Sequence, residues 1–547
     1  MTRVFLLICL AWISAAPASA ERLLLTHGRI VTLDDRSQIA EALLVEEGRI
    51  AQVGTDAALR AGLPAGVREI DLGGRTVIPG LIDSHIHAVR AGLTFSKEVN
   101  WIGATSLREA LARMSAVAAR TKPGAWVVVP GGWNVQQFEE KRLPTQTEIE
   151  AAAPDHPVYV QMSYAGALLS RSGFEALRIA RDEDLPANGR FERDPQGRMT
   201  GWVSGDLSTI VALYDRLPKP TLDEAMEGTR AFFRELNRFG VTGVSDPQGH
   251  NLSLDQYAAV KRLAREGALS LRVRYSHCAP RAGFEGQDYE ALTRAPAEDN
   301  DWLRFNGLGE CVTWGMYNND NPSPAQLAQF EAVALFAARN RLGLTIHWNN
   351  DSSAHHLLDA FARVRSQIDY APLRWSVAHL HDARPETLSR LRALDLGWLM
   401  QDRLYFAAPS FLSAYAQSRI AAMPPFGAAL RLGLPVGGGT DADRVMSYNP
   451  FVALRWMLDG RTISGLPTRA PEDIPTREQA LRIWTQGSAW FTQEEERRGV
   501  LKAGAFADLA VLSGDVLSLP LEEFTNLRSL LTMVGGRIVH AEGIFAR

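Results

Sequence analysis

The chain has 547 residues with 46% hydrophobic and 22% charged side chains, an ordinary globular balance that excludes a disordered or fibrous chain. Its formal net charge of -4 excludes a global basic excess, so charge supports neither a nucleic-acid partner nor an anionic membrane surface. The length exceeds one compact core of usual size, which predicts a large domain with additions.

In chain order, residues 1–20 come first. Arg3, the apolar run Val4 to Ile13 and the small residues ending in Ala18-Ser19-Ala20 form the pattern of a secretory signal peptide cleaved before Glu21. The alternative, an N-terminal membrane anchor, requires a longer apolar run, and no later stretch is apolar enough to cross a bilayer. The mature protein is therefore expected to be exported, periplasmic or secreted. After loss of Cys9, only Cys278 and Cys311 remain. One disulfide is arithmetically allowed, but buried free thiols are the commoner outcome at predicted strand ends.

Leu23–Leu25, Arg29–Thr32, Ala42–Val45 and Ile50–Val53 read as short strands, and so do Ala507–Leu512 and Leu531–Val539 near the other end. These β-rich ends predict a composite β-sandwich domain from residues 21–78 and 495–547. Between them, 79–494 alternates strands with helical patterns, the mark of a parallel sheet with helical crossovers. Eight strands are predicted in order: Leu81–His87, Val241–Asp246, Leu271–Ser276, Phe305–Glu310, Leu344–Trp348, Trp375–His379, Gly397–Gln401 and Leu434–Asp441. The fold class is α/β, a (β/α)8 TIM barrel with an insertion at about 96–236, in which Trp126–Pro130 and Pro157–Met162 are further strands.

Active-site groups of such barrels project from the C-terminal strand ends. Those ends carry His85 and His87, Glu310, His347, His379 and Asp441, side chains that bind zinc-like divalent metals through N and O. His85 and His87 alternate along a strand and so share a face. Each histidine alone is as well explained as a satisfied core residue, and Asp441 as a helix cap; the set carries the reading. Trp133, Tyr164 and Trp348 are candidate substrate-binding walls for an apolar substituent, with packing as the alternative. His381, two beyond His379, shares its face and could support the metal site from behind, with a solvent-facing loop position as the favoured reading. Arg444 reads as a surface salt-bridge former, although it could instead meet a substrate carboxylate. His355 and His356 fall at a helix start, away from any metal role.

The segments Val77–His87, Gly131-Gly132-Trp133, Gly240–Asp246, Ile346-His347, Ala378-His379, Gly439-Thr440-Asp441, Tyr448-Asn449-Pro450 and Gly499–Leu512 together resemble the amidohydrolase superfamily, within it the YtcJ-like branch that includes N-substituted formamide deformylases. The resemblance implies that His85, His87, His347, His379 and Asp441 are metal-site residues. It also implies a carboxylated lysine on strand four in many relatives, yet this chain has no lysine between Lys261 and Lys502. Glu310 and Cys311 stand in that place. Adjacent strand residues face opposite ways, so one of them at most points inward, Glu310 being favoured and Cys311 the fallback. The implied cofactor is one or two divalent ions, zinc first, with manganese or iron as alternatives. A bound metal lowers the pKa of a water to roughly 7 and polarises the substrate carbonyl. Asp441 is then the expected proton shuttle, and His379 either a ligand or a carbonyl polariser.

The expected function is hydrolysis of an amide-type C–N bond, with an N-substituted formamide as one candidate substrate. Deaminase or lactonase chemistry on the same site is the alternative, as is a non-catalytic binding protein that kept the fold. The expected partner is a small-molecule substrate, with no nucleic acid and no membrane after signal cleavage. A homo-oligomer is compatible with the sequence.

Overall fold

The computed structural model describes residues 22–63, 67–249, 252–294, 298–317, 319–407, 409–413 and 415–546. The proposed signal segment lies outside the described residues. Among those described, no helix is long and apolar enough to cross a membrane.

Eight parallel strands form one sheet in sequential order: Leu81–Asp83, Val241–Asp246, Arg272–His277, Leu303–Leu308, Gly343–Trp348, Ser376–His379, Gly397–Gln401 and Val436–Gly439. The first and last also bond to each other. Ser84 N–H donates to Gly438 O at 2.9 Å and Asp441 N–H donates to His85 O at 2.8 Å, which closes the barrel. Helices cover the outer face of the barrel and its own side chains fill the inside, which is why several segments, such as Gly397–Gln401, read as short apolar runs. The strand ends differ from expectation by a few residues, because the site-bearing tips leave the ladder to curl over the barrel mouth.

The two ends of the chain share a six-stranded sheet. Its order is Arg537–Ala541, Ser529–Val534, Leu509–Leu512, Thr76–Pro79, Arg29–Val31 and Ile39–Ala40. Leu509 pairs with Pro79 and Val511 with Val77, antiparallel, so the C-terminal strands lie directly on the strand that leads into the barrel. A four-stranded sheet packs with it through Leu23, Leu25, Leu43, Val45, Val511 and Met533. The expected strand Leu531–Val539 is a hairpin. Gly535 and Gly536, at φ 55° and 75°, make the two-residue turn whose twist suits antiparallel partners.

The insertion after the first barrel strand carries a five-stranded sheet ordered Arg190–Arg193, Met199–Ser204, Gly166–Leu169, Val158–Met162 and Val127–Val129. The last two were expected. The helix Leu222–Arg238 packs on the helix Ala88–Gly92, so it joins the ring around the barrel.

Candidate metal centre

The residues expected at the strand tips converge on one point. Glu310 sits at its middle. Its Oε2 lies 2.9 Å from His347 Nδ1, 3.4 Å from His85 Nε2 and 3.5 Å from His379 Nε2, and its Oε1 lies 3.6 Å from His87 Nε2. Asp441 closes the other side, with Oδ1 3.0 Å from His87 Nε2 and 3.7 Å from His85 Nε2. All but His347 and Asp441 are buried, and these two are nearly so.

Local sequence explains these positions. Asp83 accepts from the backbone N–H of His85 and Thr440, each at 3.1 Å, and from the Thr440 hydroxyl at 2.6 Å, tying the first strand tip to the eighth. The run Gly437-Gly438-Gly439 permits that approach; a Cβ on Gly439 would lie 2.8 Å from His85 N. His87 Nδ1 bonds the carbonyl of Gln248 at 2.9 Å, which leaves Nε2 facing Asp441. His379 and Asp441 sit at φ 71° and 56°, a region costly for non-glycine residues and typical of functional sites held by their surroundings.

The electrostatics follow from burial and proximity. Burial opposes charge on Glu310, but the His347, His379 and His85 imidazoles outweigh it and hold the carboxyl well below its usual range. Burial likewise opposes the charge of Asp441, yet the His87 hydrogen bond and the neighbouring imidazoles bring it down to about 2. Burial, with His347 beside it, pushes His379 down to about 4, so that its imidazole is neutral at pH 7. For His85, burial is overcome by Glu310, and the pKa rises.

Several ring nitrogens here have no hydrogen-bond partner: both of His85, Nε2 of His347 and Nε2 of His379. Buried polar atoms are normally satisfied, so a cluster of orphans marks a place meant for another atom. Three overlapping groups could each hold an ion: His85, His87 and Glu310; Glu310, His347 and His379; and His85, His379 and Asp441. All offer N and O donors, the set suited to zinc-like divalent ions, and Glu310 is shared by two of them. The donor set fits one or two such metals.

The alternatives for strand four separate cleanly. Cys311 points away from the centre and forms a disulfide with Cys278, Cα–Cα 5.2 Å, which corrects both the expected free thiols and the fallback bridging role. The physical reason is adjacency: Cys278 follows His277 and Cys311 lies three residues beyond Leu308, and His277 pairs with Leu308 across strands three and four. Asp441 caps no helix; Asn449 caps the helix Pro450–Asp459.

A cavity of about 390 Å³ opens over the cluster. Tyr164 and Tyr317 line it, with Phe406, Phe411, Leu207 and Met446 as apolar wall. Trp133 and Trp348 do not line it, contrary to expectation. Trp133 packs between Trp101 and Phe138 and donates to Gln161 O, and Trp348 is enclosed in the barrel core. Asn134, Arg403 and Asn349 line the cavity and escaped the sequence reading, because polar loop residues carry no periodic signal. His381 is buried against Tyr415 rather than solvent-facing, and burial pushes it down to about 3. Arg444 is not a surface residue: it is buried, makes no ion pair among the described residues, and lies 3.9 Å over the Tyr214 ring. His355 and His356 begin the helix Ala354–Arg365, outside the site.

The model of the amidohydrolase family matches residues 68–540. The chain belongs to this family. The N-substituted formamide deformylase of Arthrobacter pascens is 24% identical over 94% of this chain and 97% of its own length. The putative amidohydrolase YtcJ of Bacillus subtilis is 22% identical over 94% and 98%. In structure, an uncharacterized metal-dependent hydrolase from Pyrococcus horikoshii superposes with a TM-score of 0.66 at 18% identity, over 92% of this chain and 99% of the other. This family member thus combines the barrel with the His, Glu and Asp cluster at its mouth.

Proposed function

We propose that this chain is a metal-dependent hydrolase of an amide-type C–N bond, with N-substituted formamides among its candidate substrates. The observation that carries the reading is the convergence of four imidazoles, Glu310 and Asp441, with orphaned ring nitrogens, beneath a cavity open to a small molecule. His85, His87, Glu310, His347 and His379 would hold one or two divalent ions, zinc first by donor chemistry and manganese or iron next. A bound ion supplies Lewis acidity, polarising a carbonyl and lowering the pKa of a water to about 7.

The chain's own groups do the rest. Asp441, ionised at neutral pH, accepts a proton from the attacking water as its oxygen bonds to the carbonyl carbon. It then returns that proton to the nitrogen as the C–N bond breaks, leaving an acid and an amine. Asp441 Oδ1, 3.0 Å from His87 Nε2, places the carboxylate at the edge of the donor cluster, within reach of a water held there. His379, neutral at pH 7, would be a ligand to a second ion, and with one ion would present its imidazole to the carbonyl oxygen. Tyr164 and the apolar wall enclose the substituent.

The substrate is a small molecule, and we place its hydrolysis outside the cytoplasm. The leader-like residues 1–20 support that, as does the disulfide, a bond kept in oxidising compartments.

The test loads the purified chain with zinc or manganese and offers formamides, N-acyl amino acids, cyclic ureas and lactones. Release of amine from an amide, with kcat lowered roughly 10²–10⁴-fold in Asp441→Asn, is expected. Hydrolysis of none of these, or full activity in Asp441→Asn, rejects the reading.

A further inference from the structure

Arg403 begins the turn after the seventh barrel strand, and its side chain is half-buried at the cavity that holds the metal-site cluster. Its Nη1 donates to Asn349 Oδ1 at 3.0 Å, linking the tips of strands seven and five across the sixth. Its guanidinium carbon lies 5.3 Å from the centre of the Phe411 ring. Asn349 and Phe411 line the same cavity, so both partners hold the guanidinium at its wall.

What Arg403 lacks is a negative charge. It forms no ion pair among the described residues, and no residue between 22 and 546 outside that set is Asp or Glu. Most arginines of this chain face a carboxylate. Arg272 meets Asp508, Arg274 meets Glu494, and Arg419 meets Asp382. The two carboxylates nearest the cavity floor, Glu310 and Asp441, are taken up by imidazoles. Arg90, the second guanidinium at the cavity, is engaged in contacts of its own. One neutral partner uses one of five guanidinium donors, and the planar fork left over matches a carboxylate.

We propose that Arg403 is the specificity-determining residue of this cavity and binds the carboxylate of the substrate, which is then an amide carrying an anionic end, as in an N-acyl amino acid. The reacting amide lies over the His85–Asp441 cluster, and the apolar wall of Phe406, Phe411, Leu207 and Met446 takes the substrate's side chain. The inference deepens the amide-hydrolase reading and rests on it for the word amide; the carboxylate site itself stands on Arg403.

Two arms test it on the full chain. In the first, the zinc-loaded enzyme is given N-formylphenylalanine and N-formylphenylalaninamide, which differ only in the terminal charge. A KM at least about tenfold lower for the acid is expected, as a charge-assisted pair supplies. In Arg403→Gln the acid-over-amide ratio falls to near one, and Arg403→Lys restores part of it. In the second arm, calorimetry follows 3-phenylpropanoate and 3-phenylpropanamide binding to chelator-treated protein, so that no metal can attract the carboxylate. The acid is again preferred about tenfold or more by the wild type, and the preference is lost in Arg403→Gln.

Equal affinity for acid and amide in the wild type overturns the proposal, and this needs no variant to fold. A preference that survives Arg403→Gln overturns it too, assigning the carboxylate to other groups. An Arg403-dependent preference in the calorimetric arm without any hydrolysis keeps the carboxylate site and rejects the amide-hydrolase reading.

Discussion

Replacing Cys278 and Cys311 together by alanine removes a bond that does two jobs. The disulfide closes a loop with a sequence separation of 33. Chain entropy for a loop of that size gives about 3–4 kcal/mol of stabilisation at about 25 °C. The bond also lies behind the metal-site cluster. Cys311 follows Glu310, and Cys278 N–H donates to Gln248 Oε1 at 2.6 Å, while the Gln248 carbonyl orients His87. The double variant should therefore unfold at lower denaturant, by the equivalent of about 3–4 kcal/mol, and bind zinc roughly 10–100-fold less tightly, as when groups that orient a ligand are lost. Denaturant titration followed by fluorescence, and competition with a zinc chelator, measure the two effects. Mass spectrometry after alkylation of the denatured, unreduced protein tests the bond itself, with Cys278 and Cys311 expected unlabelled. Labelling of both, or a stability loss below about 1 kcal/mol, would refute the reasoning.

Three further outcomes are expected. Glu310→Gln keeps the shape of the side chain but removes the anion shared by two donor groups, so metal content by plasma mass spectrometry should fall to one ion or none per chain. Undiminished content would remove Glu310 from the site. His277, buried beside Tyr257 and Phe305, is pushed down to about 3 by burial, below the ordinary histidine value of 6.5. The unfolded chain then binds more protons than the folded one between these values. Stability is full above pH 6.5 and falls on acidification toward pH 3, by up to about 1.4 kcal/mol per pH unit. His277→Asn should flatten the melting temperature against pH across that window, and an unchanged slope rejects the assignment. Glu494, wholly enclosed, receives Arg274 at 2.7 and 2.9 Å and Arg498 at 2.9 Å. Glu494→Gln leaves buried guanidinium charge uncompensated and should cost about 3–5 kcal/mol by denaturant melting; a loss under about 1 kcal/mol would show the cluster to be well solvated.

The barrel was readable because its strands are largely buried on both faces, and a doubly buried strand writes itself as a short apolar run such as Trp398-Leu399-Met400. The insertion was half readable. Val158–Met162 is apolar but for Gln161, whereas Arg190–Arg193 buries one residue of four and carries no pattern of its own. Metal-site candidates were readable only as a set: one histidine at a strand end is as well explained by packing, as His277 shows, whereas four with Glu310 and Asp441 at the tips of one barrel are not. The tryptophans misled for the opposite reason. A large indole packs equally well in a core or against a ligand, and only the neighbours Trp101 and Phe138 decide for Trp133. The disulfide and the burial of His381 and Arg444 depend on which segments become neighbours, and composition does not record that.

The absence of lysine from 262–501 has a structural consequence beyond the identity of one ligand. A lysine reaches a metal site through four methylenes and needs carboxylation to carry negative charge there. Glu310 is shorter and anionic as synthesised, so its backbone must come closer to the centre and stay there. The chain supplies that constraint twice. Glu310 N–H donates to Pro247 O at 3.3 Å, His347 N–H donates to Glu310 O at 3.0 Å, and the adjacent Cys311 is bonded to strand three. A short carboxylate, a backbone held by the tips of strands two and five and a covalent clamp one residue away form one solution to a single geometric demand. On that argument the disulfide belongs to the metal centre as much as Gln248 does. Restoring a free thiol at 311 alone, as in Cys278→Ala, should loosen metal binding more than its distance from the donor atoms would suggest.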